Sequence, residues 1–322
     1  NNFKIIGFDV DKKKIAKIKK NQSYIERISN NDVGLINKGG QFYSNFSNIS
    51  KCDIIIICVP TPLKKNYSPD LSFIKATIDS IKKFLKKGQV IVLESTSYPG
   101  TTKDEIYKKI KNRFVFGEDF FLGFSSERID PGINENSIQK IPKVVSGYSK
   151  NCLKVIANFY SRSFNDIVES KNIEIAEFSK LLENVYRSVN IGFINEMKIL
   201  ADKMKIDIFD VIDVASTKPY GFRRFFPGPG IGGHCIPVDP HYLYWKSVKV
   251  GFPAKFIKLS GEINILVLNF LLKKILKNLK YKKIPLIKSK ILILGLSYKK
   301  NLDDIRESAS IKLIESLFKK GI

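Results

Sequence analysis

Three observations in the sequence predict an α/β fold: a doubly wound parallel sheet, then an all-helical region, then a second β-α unit. Short apolar runs of strand length alternate with helical patterns over residues 1–170. The stretch from Ile173 to Met204 carries a helical pattern with no proline, and a second helical pattern runs from about Lys255 to Lys280. Strand character returns at Lys290–Leu294 (KILIL), with Gly295 after it and a helix from about Ser308. Three domains follow from this, at 1–170, 171–283 and 284–322.

Lys4–Asp9 (KIIGFD) reads as a short buried strand closed by an acid, and a Lys-rich helix follows from Asp11. Cys52–Val59 (CDIIIICV) is a continuous apolar run of the kind that fills the middle of a parallel sheet. Asp70 is placed to cap a helix whose Leu71, Ile74, Ile78 and Ile81 share one face. Val90–Leu93 and Phe120–Phe124 read as two further strands. The KILIL strand cannot form a sheet by itself, because its backbone groups need partners.

Composition narrows the function. The 322 residues are 43% hydrophobic and 27% charged, which suits a packed core rather than a disordered chain. The longest apolar runs, Cys52–Val59 and Ile265–Leu272, are each broken by a polar residue and fall short of the ~18 residues of a bilayer span. Residues 1–10 lack the pattern of a signal peptide, and four scattered cysteines without a C-x-x-C pair suit a reducing compartment. A cytoplasmic protein without a membrane partner is the expectation. The net charge of +24 is carried by 55 Lys+Arg, of which only eight are Arg. The Lys residues are spread along helix faces, as at Lys82, Lys83, Lys86 and Lys87, whereas a nucleic-acid binder concentrates charge in one patch. The chain therefore reads as one with no nucleic-acid partner, and its charge as an attraction to anionic small ligands.

The most informative stretch is Lys218–Leu243, KPYGFRRFFPGPGIGGHCIPVDPHYL. Its glycines at 228, 230, 232 and 233 let backbone N–H groups approach an anion. Arg223 and Arg224 add charge, and Phe225 and Phe226 offer faces for a flat ring. The literal G-x-G-x-x-G from Gly228 to Gly233 follows a Pro-rich loop and leads into HCIPVDP, not from a strand into a helix, so it is not a dinucleotide fingerprint. His234, Cys235, Asp239 and His241 match no common zinc spacing, so no metal is expected, and His234 reads as structural. The plain alternative is a tight surface loop holding a buried cysteine.

GPGIGGHCIPVDP, with CVPTPL (58–63), LESTSYPGTT (93–102), AEFSKLLENVYR (176–187) and GLSYKKNLDDIRES (295–308), resembles the UDP-glucose/GDP-mannose dehydrogenase family over nearly the whole chain. The YGFRRFFPGPG loop and IPVDPHYLYWK look closest to the bacterial branch that oxidises UDP-N-acetylglucosamine at C6; the UDP-N-acetylmannosamine and UDP-glucose enzymes are the alternatives. The resemblance implies a Rossmann-type NAD-binding domain, a central helical domain that pairs two subunits, and the start of a second Rossmann-like, UDP-binding domain. It implies four-electron oxidation of a UDP-sugar, with NAD as cofactor, for surface polysaccharide. Cys235 would be the nucleophile, forming a thiohemiacetal and then a thioester. Lys180 would supply an ammonium for thiolate and oxyanion, with Asn184 one turn on along the same helix face. Asp239 and Thr96 would place the hydrolytic water, and Glu127 would serve acid/base work. Asp9, Lys14, Val59, Pro60, Thr61, Thr96 and Arg306 would hold the cofactor. Glu127, Arg128, Lys180, Asn184, Tyr220, Arg223, Phe226, Gly232 and Lys299 would hold the substrate.

Three positions depart from the branch: Ser97 where Val is usual, Ser126 where Pro is usual, and Ile305 where Thr is frequent. An acid such as Asp9 is expected about 20 residues after a glycine fingerprint. The first strand with that loop, and most of the UDP-binding domain, lie outside the sequence. Both terminal domains read as truncated, with an inactive remnant as the rival reading.

Overall fold

The computed structural model describes residues 3–25, 28–129, 140–233, 235–299 and 304–322. Ile5–Phe8 (β1) pairs in parallel with Gly40–Tyr43 (β2) as a separate two-stranded sheet. Asp11 caps α1 (Lys12–Lys19), its carboxylate accepting from Lys13 N, and Ser29 and Asp32 form a reciprocal capping box on α2 (Asn30–Asn37).

The main sheet has five strands in the order β3 (Ile54–Ile57), β4 (Val90–Leu93), β5 (Phe121–Phe124), β6 (Lys143–Gly147) and β7 (Ile167–Glu169). β3, β4 and β5 run parallel, β6 is antiparallel to β5, and β7 is parallel to β6. All four residues of β4 are buried, which explains its unbroken apolar run. Beneath the sheet, α3 (Ser72–Ile81) presents Ile74, Ile78 and Ile81, each at most 1% exposed. Each such burial stabilises the fold by roughly 1.5–3 kcal/mol over exposure. Leu71, not Asp70, holds the N-cap position of α3; the Asp70 carboxylate accepts from Ser72 N at 3.0 Å from one residue earlier.

After α5 (Lys150–Tyr160) and β7 the chain enters α6 (Ile173–Met204), capped by Asn172 and ended by Lys205 in the left-handed conformation. α6 packs along α9 (Lys255–Tyr281) and against α8 (Asp239–Lys249). Gly192 sits at the crossing with α9, where an added Cβ would lie 3.3 Å from Ser260 Cα. α7 (Ile208–Ala215) packs on the far end of α6.

The expected strand at Lys290–Leu294 is a correction. These residues form no strand, and Leu292 and Leu294 are 82% and 85% exposed. No described strand lies alongside to take their backbone hydrogen bonds, and apolar content cannot hold an extended segment without one. The helix after it does form: Ser308 caps α10 (Ala309–Phe318). β2, β6, β7, α2, the short α4 (Lys108–Ile110) and α5, absent from the sequence reading, complete the first region.

Candidate active site

The loops that follow β3, β4 and β5 meet at one end of the sheet, where open α/β folds take their ligands. Val59, Pro60 and Thr61 follow β3. The Val59 carbonyl accepts from Ser95 Oγ at 2.7 Å, and Thr61 is buried. Tyr242 of α8 donates its hydroxyl to the Pro62 carbonyl at 3.1 Å, which ties this loop to the helix that follows Cys235. Thr96 is half-buried in the turn after β4. Asp9 follows β1; its Oδ1 accepts from Asp11 N at 2.8 Å, and the Lys14 ammonium lies 3.5 Å from Oδ2.

The helical region supplies the second half. Lys180 and Asn184 stand four residues apart on α6, hence on one face. Asn184 donates Nδ2 to Asp239 Oδ2 at 2.6 Å. Asp239 opens α8 and is 5% exposed. Burial pushes its carboxyl up to about 6, against the Asn184 hydrogen bond and the Lys180 charge, which pull it down. The Cys235 carbonyl accepts from Val238 N at 3.0 Å and Asp239 N at 2.8 Å, so the cysteine sits one turn before α8 with its side chain exposed.

The last part of the chain closes over this turn. Gly233 N donates to the Arg306 carbonyl at 3.1 Å. A Cβ on Gly232 would lie 2.6 Å from Tyr298 Cβ, and one on Gly233 would lie 2.7 Å from the Tyr298 ring. Gly233 also has φ +89°, so only glycine fits both the space and the backbone. The Arg306 guanidinium is bidentate on Asp304, which raises its pKa most, with smaller contributions from Tyr298 and Cys235. Lys299 is half-buried.

Glu127 follows β5. Its Oε1 accepts from Arg128 N at 2.6 Å and Ile129 N at 2.7 Å, and its Oε2 lies 3.4 Å from Lys143 Nζ. Arg128 bridges to Glu183 of α6 at 2.8 Å. The sequence reading missed Lys143: a single lysine heading a strand of five residues looks like any other in so Lys-rich a chain. It also missed Glu177, whose buried carboxylate accepts from Gly100 N (2.5 Å), Thr102 N (2.8 Å) and Thr102 Oγ1 (2.7 Å). That carboxylate ties α6 to the loop after β4. Burial pushes it up to about 7 despite those hydrogen bonds. Two departures noted above, Ser97 and Ser126, hold the buried side-chain hydroxyls without a hydrogen-bond partner among the described residues.

Tyr220, Arg223 and Phe226 are exposed and stand outside the buried cluster. Phe226 stacks on Phe209 of α7, with Arg224 over it. Phe225 meets Tyr186 of α6 edge-on. His234 lies outside the described residues. Among the described residues no group of three metal-ligating side chains occurs, and no helix is long and apolar enough to cross a membrane. For a dinucleotide, the acceptor at Asp9, the ammonium of Lys14, the Val59–Thr61 loop and the guanidinium of Arg306 are a fitting donor and acceptor set.

Three family models cover the chain: the NAD binding, central and UDP binding domains of the UDP-glucose/GDP-mannose dehydrogenase family match residues 1–164, 174–265 and 292–322. Protein CapL of Staphylococcus aureus is 35% identical over all of this chain and 76% of its own length. UDP-N-acetyl-D-glucosamine 6-dehydrogenase of Pseudomonas aeruginosa is 31% identical over 99% of this chain and 75% of its own. Among solved structures, UDP-D-ManNAc dehydrogenase from Pyrococcus horikoshii superposes with a TM-score of 0.88 at 27% identity, covering 99% of this chain and 76% of that one.

Proposed function

The chain belongs to the UDP-glucose/GDP-mannose dehydrogenase family of NAD-dependent oxidoreductases, and from that premise we propose that it oxidises UDP-N-acetylglucosamine at C6 to the uronic acid. The observation that carries the mechanism is the Asp239 carboxylate, one helical turn after Cys235, held by Asn184 and under the Lys180 charge. NAD, when bound, would supply the hydride acceptor, one molecule for each of the two oxidations. Asp9, Lys14, Val59, Pro60, Thr61 and Arg306 hold it, with Thr96 at the edge of that surface.

The first oxidation leaves an aldehyde at C6. Cys235 Sγ attacks its carbon, and the Lys180 ammonium steadies the oxyanion of the thiohemiacetal. Loss of the second hydride gives a thioester on Cys235. Water placed by Thr96 and Asp239 cleaves it, releasing the carboxylate and restoring the thiol. Asn184 holds Asp239 toward this turn, and Glu127 handles protons on the sugar hydroxyls. Arg128, Tyr220, Arg223, Phe226, Gly232 and Lys299 contact the nucleotide-sugar. The mannosamine epimer is the second reading, supported by the name of the solved relative.

We assign the reaction to the cytoplasm and to supply of a uronic acid for surface polysaccharide, and divide the chain at 1–170, 171–283 and 284–322. Two subunits pair through α6, whose Phe178, Leu182, Tyr186, Phe193 and Leu200 form an exposed apolar stripe at helical spacing. The test is NAD reduction with a panel of UDP-sugars. Two NADH per sugar are expected with UDP-N-acetylglucosamine, and no net acid from Cys235→Ala. Acid formation by that variant at the parent rate would overturn the mechanism; faster turnover of the mannosamine epimer would move the substrate.

A further inference from the structure

Among the described residues, Glu127 has one anchor outside its own loop. Its Oε1 is taken by the two amides that follow it in sequence, Arg128 N and Ile129 N, which move whenever the loop moves. Its Oε2 meets Lys143 Nζ at 3.4 Å, and Lys143 heads β6 in the main sheet. Lys143 is only 4% exposed, unusual for a residue type that almost always reaches water.

The lysine is fixed from several sides. Its ammonium lies 3.0 Å from Glu94 Oε1, on the residue directly after β4. Glu94 Oε1 also accepts from the Tyr160 hydroxyl at 2.5 Å. The rings of Tyr160 and Phe164 each lie 5.2 Å from the ammonium. One buried cation thus stands between two carboxylates of different standing. The Glu94 side chain is 16% exposed and locked, while that of Glu127 is 46% exposed and opens on the site. Without the cation the two carboxylates repel across a partly dry gap, and the exposed one is the one able to swing away.

We propose that Lys143 is the positioning residue for Glu127, holding that carboxylate at the sheet end by sharing one buried positive charge between it and Glu94. The inference rests on the reading of Glu127 as a group that works on the nucleotide-sugar. Lys143 itself touches neither substrate nor cofactor in this role.

The test is a double-mutant cycle on the full chain, read by kcat and by KM for NAD. Removing Lys143 alone leaves Glu94 buried without its counter-charge, which threatens folding, so Lys143→Met is made together with Glu94→Gln. Glu94→Gln alone is the reference, and melting curves confirm that both fold. The expected result is a fall in kcat of tenfold or more on adding Lys143→Met, with KM for NAD within twofold. In a Glu127→Gln background the same change is expected to alter kcat by less than twofold. An equal loss in both backgrounds overturns the inference, and so does no loss in either. A Glu127→Gln variant at full speed sinks the role given to Glu127 instead, and is told apart because that single variant never touches Lys143.

Discussion

Asn184 and Asp239 are joined by a 2.6 Å hydrogen bond that spans 55 positions of sequence. It fastens α6 to the first residue of α8, where the Lys180 charge also bears on the Asp239 carboxylate. The bond lies in a buried setting, where a carboxylate that loses its donor pays the full cost of desolvation.

Asn184→Leu removes that donor and keeps the volume. Stability is expected to fall by about 1–3 kcal/mol, and the Asp239 carboxyl to move further up than its present value. Denaturant melts read the first effect. The pH at which kcat falls on the acid side, shifted upward in the variant, reads the second.

Stability depends on pH through two buried acids raised above their ordinary values: Asp239 to about 6 and Glu177 to about 7. A raised acid holds its proton in the folded state after the unfolded chain has released it. Its contribution is therefore present at low pH and lost as pH rises, here between about pH 4 and pH 7. The cost at pH 8 is on the order of 3 kcal/mol for each group by one-unit arithmetic. Comparison of melting temperatures at pH 5 and pH 8 checks the sign. The parent is expected to lose more over that interval than Glu177→Gln, which has no proton to release.

Gly232 and Gly233 tolerate no side chain, for different reasons. Gly233→Ala meets the Tyr298 ring, whereas Gly232→Ala meets Tyr298 Cβ and lies 3.2 Å from the Glu307 carbonyl. Both variants are expected to lose at least tenfold in kcat as the Cys235 turn is pushed off. Adding Tyr298→Ala returns part of the activity to Gly233→Ala, with the positive φ still costing it. The same addition does nothing for Gly232→Ala, since alanine keeps the offending carbon.

The apolar stripe on α6 is expected to be covered by a second copy. Phe193→Lys, at a position 55% exposed in one chain, should shift sedimentation from dimer mass toward monomer mass while each subunit stays folded. An unchanged mass would remove α6 as the pairing surface.

Much of this architecture was legible because periodicity speaks plainly over long or fully buried segments. Ile173–Met204 and Val90–Leu93 fall where the pattern put them. KILIL carries the same local pattern as a strand yet forms none, because a ladder is a relation between segments. β6 escaped since its five residues begin with a lysine and pair antiparallel, outside the alternating scheme. The cysteine turn stood out by its glycines. Lys143 and Glu177 did not, because a charged residue on a strand or helix reads as solvated until tertiary packing encloses it.

The covering of Gly230, Gly232 and Gly233 by Tyr298, Glu307 and Ala309 has a consequence for how the molecule is made. At synthesis rates of about 5–20 residues per second, the cysteine turn leaves the ribosome on the order of several seconds before the residues that cover it exist. During that interval the first sheet can assemble, while the turn still lacks the residues that cover it. The Cys235 side chain thus reaches its final surroundings late, after the first sheet is already standing.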